Sequence, residues 1–558
     1  MAERQRDGSA RDPDDWEDRK PQSDEAHSAF TPPLGVPMPP PPEDQHPTSE
    51  FAVPSGLTTE PLNEPEGSAF VPPPGVVTSG DAQSTPPFTS PHGIPAVRPA
   101  EPPWQDRMRT MLRMPAGDRL TPERPEKPDE AGPAVPRVLD LTLRIGELLL
   151  AGGEGAEDVE TAMFGVAHAY GLDRCEPTVT FTLLSVSYQS SLVDDPVTAS
   201  RTVRRRGTDY NRLSAVFRLV HDITSQEVTL EEAYGRLAEI RRNRHPYPGW
   251  GLTLASGVLA GAASMLVGGD WPVFFAAAVG AMLGDRLAWL ASGRGLPEFY
   301  QFVAAAMPPA AMGVALSLAH VGLQASAVIT GGLFALIPGR ALVAGVQDGL
   351  TGYYITASAR LLEVGYLIVG IVCGVLTVLY GGLQLGAKLN PEAALRHVER
   401  PVVQTLSAMV LALAFCVLLQ QERHTVLFAT LNGGVAWVIY GALHDTADVP
   451  AVPATAVAAG LVGLFGQLLA RYRYASALPY VTAAIGPLLP GSATYFGLLS
   501  LAQNELDRGI AHLTQAVALA LAIAIGVNLG GEVARLVLKA PGAGTATARR
   551  AAKRTRGF

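Results

Sequence analysis

Between Gly249 and Leu538 the chain is a succession of long, nearly uncharged apolar stretches, and this dictates a lipid environment. Crossing the hydrocarbon core takes about 20 apolar residues. Segments that meet this length run 249–268, 271–291, 298–320, 323–346, 354–382, 401–420, 424–443, 453–470, 478–502 and 511–538, separated by Gly, Pro or charged residues. The expected fold class is an α-helical membrane protein with ten transmembrane helices. Averages over the chain hide this, because a net charge of −9 and a charged fraction of 17 % would also suit a soluble protein.

The apolar region repeats itself. Leu336-Ile-Pro338-Gly339-Arg-Ala341 matches Leu488-Leu-Pro490-Gly491-Ser-Ala493 at an offset of 152 (490 − 338). The same ungapped offset pairs Gly345 with Gly497, Ala359 with Ala511, Leu361 with Leu513, Leu367 with Leu519 and Gly374 with Gly526. Added to 249 it gives 401, where the sixth span begins, so each half holds five spans. Five is odd, so the second half enters from the opposite face. A 5+5 inverted repeat is the architecture of secondary transporters, with the substrate site near the midplane between the halves. The expected repeats are 249–382 and 401–538, joined by a connection over 383–400 that carries Lys388, Arg396 and Arg400 and reads as a short interfacial helix.

Positive residues set the orientation. Arg241, Arg242 and Arg244 abut the first span, and a basic tail over 539–558 follows the last, so both termini are expected in the cytoplasm. Arg294, Arg423, Arg471 and Arg473 fall on turns assigned to the same side, whereas the acidic His444–Asp448 turn falls outside. The charges of the 383–400 connection dissent from this rule.

Two regions precede the spans. Of 46 prolines, 29 lie before Arg137, and residues 1–136 lack the apolar periodicity that would offset the entropy of ordering. A disordered, Pro-rich cytoplasmic tail is expected. It contains Phe-x-x-Pro-x-Gly-aliphatic four times, starting at Phe30, Phe51, Phe70 and Phe88, a pattern suited to weak multivalent docking. Trp104–Arg113 is a short basic amphipathic stretch that reads either as linker or as a helix resting on the inner leaflet. Residues 137–245 have the pattern of a small soluble cytoplasmic α/β domain. Val138, Leu141, Ile145 and Leu148 mark one helix, and Val159, Met163, Val166 and Tyr170 a second that stops at Gly171. Thr178–Leu183 reads as a strand, Ser185–Ser191 as a continuation after a phase change, and Val197–Arg206 as a partner. Glu154, Glu157, Asp158 and Glu160 read as acids complementing a helix N-terminus. The three cysteines lack metal-ligand spacing.

No ATP-binding P-loop is present, so the energy for transport is expected from an ion gradient. Pro-Gly inside a span frees backbone groups that are tolerated only where they line a protein cavity. Pro338-Gly339 and Pro490-Gly491 do this at equivalent positions; Ser492 and Thr494 add hydroxyls, Arg340 a cation for a carboxylate, and Asn432 and Asn528 nearby amides. These are the candidate substrate-binding residues. Ionisable groups within spans are costly and default to function. Asp348, Glu363 and Asp285 are the candidate proton-coupling acids, although Asp285 and Asp348 also lie near span ends, where headgroup contact would explain them.

Gly146–Glu160, Glu176-Pro177-Thr-Val-Thr-Phe181 and the two Pro-Gly spans together resemble the bacterial threonine/serine exporter family, over roughly Arg137 to Leu538. The resemblance implies a single-chain member with a soluble domain fused to ten spans. It implies secondary active export of L-threonine and L-serine driven by the proton motive force, in the plasma membrane, and no enzyme activity. Dicarboxylate export, known among split relatives, is the alternative. A membrane-anchored enzyme with a catalytic 137–245 domain is the alternative of another class. Expected partners are a small amino acid, protons and the bilayer, with no nucleic acid, cofactor or metal. A homo-oligomer and a cytoplasmic partner for the Phe-x-x-Pro-x-Gly copies stay open.

Overall fold

The structure, a computed structural model, describes residues 104–112 and 135–537 apart from 192, 204–206, 208, 243–245, 388–399 and 474. The Phe-x-x-Pro-x-Gly copies, the connection around Asn390 and the basic tail from 539 lie outside the described residues.

The N-terminal module contains α1 (Trp104–Leu112), α2 (Val135–Gly152), α3 (Ala156–Ala169), β1 (Cys175–Val179), β2 (Leu183–Tyr188), β3 (Val197–Thr202), α4 (Tyr210–Thr224) and α5 (Leu230–Arg242). The strands form an antiparallel sheet in the order β1-β2-β3, with Val179 opposite Leu184 and Leu184 opposite Arg201. The expected strand over Thr178–Leu183 is thus two strand ends and a turn: Thr180 N–H donates to Leu183 O, and the apparent phase change is the hairpin itself. The faces of α2, α3 and α4 close over the sheet, with Val138, Ile145, Met163, Phe164 and Val220 fully buried. Gly153 (φ 96°) makes the reversal between α2 and α3, where a side chain would strain the backbone. Helix α1 does not offer its apolar side to lipid. Trp104, Met108 and Met111 are buried in the module's core, and Arg109 pairs with Asp158.

The apolar region comprises α6 (Gly249–Leu266), α7 (Trp271–Gly293), α8 (Glu298–Leu318), α9 (Ala325–Phe334), α10 (Gly339–Leu350), α11 (Tyr354–Gln384), α12 (Pro401–Leu418), α13 (Arg423–Gly441), α14 (Ala451–Arg473), α15 (Leu478–Thr482), α16 (Gly491–Ala502) and α17 (Leu506–Val537). Among the described residues eight helices are long and apolar enough to cross a membrane, or nine if α9 and α10, bent by 51°, count as one span. Two of the expected spans, 323–346 and 478–502, are broken at their Pro-Gly pairs. The first is a pair of short helices; the second is the single turn and a half of α15, a 3-10 turn at Gly486–Leu488, and α16. The physical cause is the Pro-Gly pair, which removes a donor and ends the ladder.

The two Pro-Gly breaks have matching backbones: Pro338 lies at φ −78°, ψ 53° and Pro490 at φ −81°, ψ 52°. They also pack on one another's lead-in segments. A Cβ on Gly339 would meet Leu489 at 2.9 Å, and one on Gly491 would meet Phe334 at 2.2 Å, so both positions require the smallest residue. Around them a buried core draws on both halves of the region, including Leu259, Phe334, Leu411, Ile485 and Ile523. Long helices cross at glycines: a Cβ on Gly374 would lie 2.4 Å from Val303 O, and one on Gly526 would lie 2.3 Å from Ala456 O. Close helix crossings through small residues are the usual packing device in membranes, where lipid supplies no hydrophobic drive between helices.

Candidate functional site

A cavity of about 370 Å³ lies beside the first Pro-Gly break. Ser256, Asp285, Gln301, Arg340 and Thr482 bring polar groups to its wall, and Phe302, Phe415, Leu418, Ile485 and Leu489 make the rest apolar. Its sources are α6, α7, α8, the α9–α10 break, α12 and α15. Pro309 also lines it, from the Pro308-Pro309 pair inside α8. Those prolines leave carbonyls of α8 without their usual donors, next to the cavity. They are a signal of the same kind as Pro338-Gly339 that sequence reading passed over.

Of the residues nominated from sequence, Pro338, Gly339, Arg340 and Asp285 line this cavity. Asp285 accepts from the Thr253 hydroxyl at 2.6 Å. The others lie outside the lining. Thr494 donates to Pro490 O at 2.8 Å and Asn528 to Ala524 O at 2.8 Å, each within its own helix turn. Asn432 donates to Val462 O at 3.2 Å and Tyr480 O at 3.4 Å, tying α13 to α14 and α15. Gly491 is buried against Phe334, Ser492 is half-buried beside it, and Glu363 is half-buried on α11.

Asp348 is fully buried and pairs with buried Arg360 at 3.2 Å. Both then reach into the N-terminal module. Asp348 Oδ1 accepts from Ala156 N–H at 2.7 Å, and Arg360 donates to Glu154 O at 2.6 Å. Arg340 does the same from the cavity wall, donating to Gly152 O at 3.0 Å and Gly207 O at 3.3 Å. Tyr353 donates to Glu160 at 2.6 Å and Gln347 to Asp158 at 3.2 Å. The acids at the start of α3 thus do not cap it: Gly155 is the N-cap and makes no side-chain bond. Glu154, Asp158 and Glu160 bind the apolar region, and Glu157 and Asp158 pair with Arg109 of α1.

The second half of the apolar region holds the module too. Ser476 donates to the Glu154 carboxylate, Arg471 pairs with Asp106, and Arg218 forks onto Glu422 at 2.6 and 3.2 Å. Backbone N–H groups of Tyr210 and Asn211 donate to Leu419 O and Gln420 O at 3.0 and 3.1 Å. Asp209 caps α4 through the Arg212 N–H, which fixes where Tyr210 enters.

Burial dominates the titration of these contacts. It pushes the Glu154 carboxyl up to about 8; Asp158 adds to this, and the Ser476 hydroxyl and Arg360 oppose it. Burial also raises Glu160, against the Tyr353 hydrogen bond, and raises the Tyr210 phenol, against Arg340. For Glu154 the docked state holds a proton that the free carboxyl, with an ordinary value of 4.5, has lost. Docking is then strongest below about 4.5 and weakens as pH rises towards 8. Hydrogen exchange at residues 150–160 is expected to quicken between pH 6 and 8 beyond its intrinsic rise, and Glu154→Gln to flatten that excess.

Residues 140–380 match a family model for threonine/serine exporters, and residues 404–532 match a second, described as threonine/serine exporter, ThrE. A protein of Mycobacterium tuberculosis named "Probable threonine/serine exporter" is 36% identical over 402 residues, covering 71% of this chain and 76% of that one. The "Threonine/serine exporter" of Corynebacterium glutamicum is 30% identical over 415 residues, covering 72% of this chain and 84% of its own. This chain belongs to the threonine/serine exporter family. It is accordingly a multi-pass membrane protein of a transporter family, not of an enzyme family. No solved structure matches it. The exporter family models meet between α11 and α12, and the first spans both the module and the first broken span.

Proposed function

We propose that this chain exports threonine and serine through the cavity beside Pro338-Gly339, driven by the proton motive force. The observation that carries the reading is the cavity itself. Its volume falls in the range of about 300–1,000 Å³ usual for small-molecule sites. It sets a guanidinium (Arg340) and a carboxylate (Asp285) in an otherwise largely apolar wall, the complement of a small zwitterion. Arg340 suits the substrate carboxylate and Asp285 its ammonium, while Asp285, Asp348 and Glu363 are the proposed proton-coupling acids. The names of the two relatives, both threonine/serine exporters, support the substrate class.

The proposed architecture is ten spans in a 5+5 inverted repeat, two of them broken. Helix starts support it. The starts of α6 and α12, α7 and α13, α10 and α16, and α11 and α17 are each 152 residues apart (401 − 249, 423 − 271, 491 − 339, 506 − 354). The starts of α8 and α14, and of α9 and α15, are 153 apart (451 − 298, 478 − 325). Left-handed residues that end helices keep the same register, as Gly268 with Gln420 and Gly352 with Asn504. In this arrangement the module is cytoplasmic. The segments that hold it, near 350, 420 and 475, all fall on the face that positive-inside counting assigns to the cytoplasm.

The test is efflux from cells loaded with labelled threonine, serine and succinate, with and without a protonophore. Protonophore-sensitive release of threonine and serine is the expected result. Release of succinate alone would overturn the substrate assignment, and release indifferent to the protonophore would overturn the coupling.

A further inference from the structure

Thr482 is the residue where the cavity, the second half and the N-terminal module meet. It lines the cavity at the end of α15, and its hydroxyl lies 3.1 Å from the Tyr210 hydroxyl. Tyr210 comes from the module and is fully buried, although it carries a polar tip. Its position is fixed twice, by the α4 cap at Asp209 and by its own N–H on Leu419 O. The Arg340 guanidinium is near the same phenol, while its N–H groups donate to Gly152 O and Gly207 O. Each hydroxyl has one proton and two lone pairs, and either can donate in this pair. Whichever donates, Thr482 keeps hydrogen-bonding capacity: its O–H proton if it accepts, a lone pair if it gives. Among the described residues the Thr482 hydroxyl makes no other hydrogen bond, and Thr482 lines the cavity.

We propose that this hydroxyl pair reads the side-chain hydroxyl of the exported amino acid, with Thr482 as the specificity-determining residue and Tyr210 as the positioning residue behind it. The inference rests on the export reading above and deepens it. The apolar part of the wall, with Phe302, Phe415 and Leu489, has no side-chain hydrogen-bonding group, so it accepts a methyl but cannot tell threonine from valine. A single oriented hydroxyl can, because an occupant that lacks the matching group leaves a desolvated donor unsatisfied. The N-terminal module thereby takes part in choosing the substrate, through one oxygen atom, as well as covering the spans.

The isosteric pairs threonine/valine and serine/alanine test this in proteoliposomes of the full chain. The variants are Thr482→Val, which keeps shape and loses the hydroxyl, Thr482→Ser, which keeps the hydroxyl, and Tyr210→Phe. Wild type is expected to favour threonine over valine in kcat/KM. Thr482→Val should lower that ratio about tenfold, the size of one neutral hydrogen bond, with valine transport retained. Thr482→Ser should hold the ratio near wild type, and Tyr210→Phe should lower it through the KM for threonine. A merely structural role would depress threonine and valine together and leave the ratio unchanged, and that result overturns the proposal. Should Thr482→Val be inert, the ratio in Tyr210→Phe decides by the same criterion. A wild type that moves threonine and valine equally overturns this inference alone. One that moves none of the four amino acids overturns the export reading and this inference with it.

Discussion

Replacing Asp348 with alanine is expected to cost about 3–5 kcal/mol of stability, the usual price of removing one partner from a buried ion pair. Asp348 is 0% exposed and Arg360 5%, so neither charge has water to fall back on. The loss should appear first in the N-terminal module, because Asp348 also accepts the Ala156 N–H and Arg360 holds Glu154 O. Thermal unfolding followed by hydrogen exchange at residues 150–160 reads it. The double variant Asp348→Leu/Arg360→Met removes both charges together and should recover part of the stability, since well-packed apolar residues often replace a buried pair at little cost. An Asp348→Ala protein as stable as wild type would contradict the docking described here.

Arg340→Gln is expected to lower threonine efflux at least tenfold. Truncating one member of a buried, hydrogen-bonded charge pair costs about 2–5 kcal/mol, and the substrate carboxylate would be left in the cavity without its cation. Lysine should not restore the rate. A guanidinium forks onto several acceptors at once, whereas an ammonium is a point charge, and Arg340 already serves Gly152 O and Gly207 O. Because the same substitution loosens the module, efflux is read beside hydrogen exchange at residues 150–160. Efflux that falls while exchange stays near wild type identifies the substrate role. If exchange quickens and efflux is unchanged, Arg340 serves docking alone.

Much of the membrane region was legible because its rules are local. Span length follows from bilayer thickness, and a Pro-Gly pair breaks a helix wherever it occurs, so the 152-residue offset and both breaks could be read before any coordinates. What escaped was tertiary. Thr482, Gln301 and Phe415 reach the cavity only because α15, α8 and α12 converge on one break, and nothing in their local sequence says so. The acids from Glu154 to Glu160 read as dipole partners because isolated helices use acids that way; Glu154, Asp158 and Glu160 also have partners about 190 or more residues away. The hairpin at Thr180–Thr182 was taken as strand because it contains no Gly, Pro or Asn to mark the turn.

One available signal was passed over. At the 152-residue offset, Arg340, Asp348 and Arg360 correspond to Ser492, Ser500 and His512. Asp285 and Glu363 likewise correspond to Trp437 and Gln515, so none of these ionisable groups recurs in the second half. Arg340 meets the module and the cavity together.

The most direct test of the cavity as the substrate path is protection of a single cysteine placed in its wall. Ser256 lines the cavity, and cysteine differs from serine there by one atom. With Cys175, Cys373 and Cys416 replaced, Ser256→Cys is labelled in membranes by a small thiol reagent in the presence of threonine, serine or valine. The account predicts that threonine and serine slow the labelling in proportion to their occupancy and that valine does so only weakly. Labelling at one rate whatever amino acid is present would contradict it, and would place the substrate elsewhere in the protein.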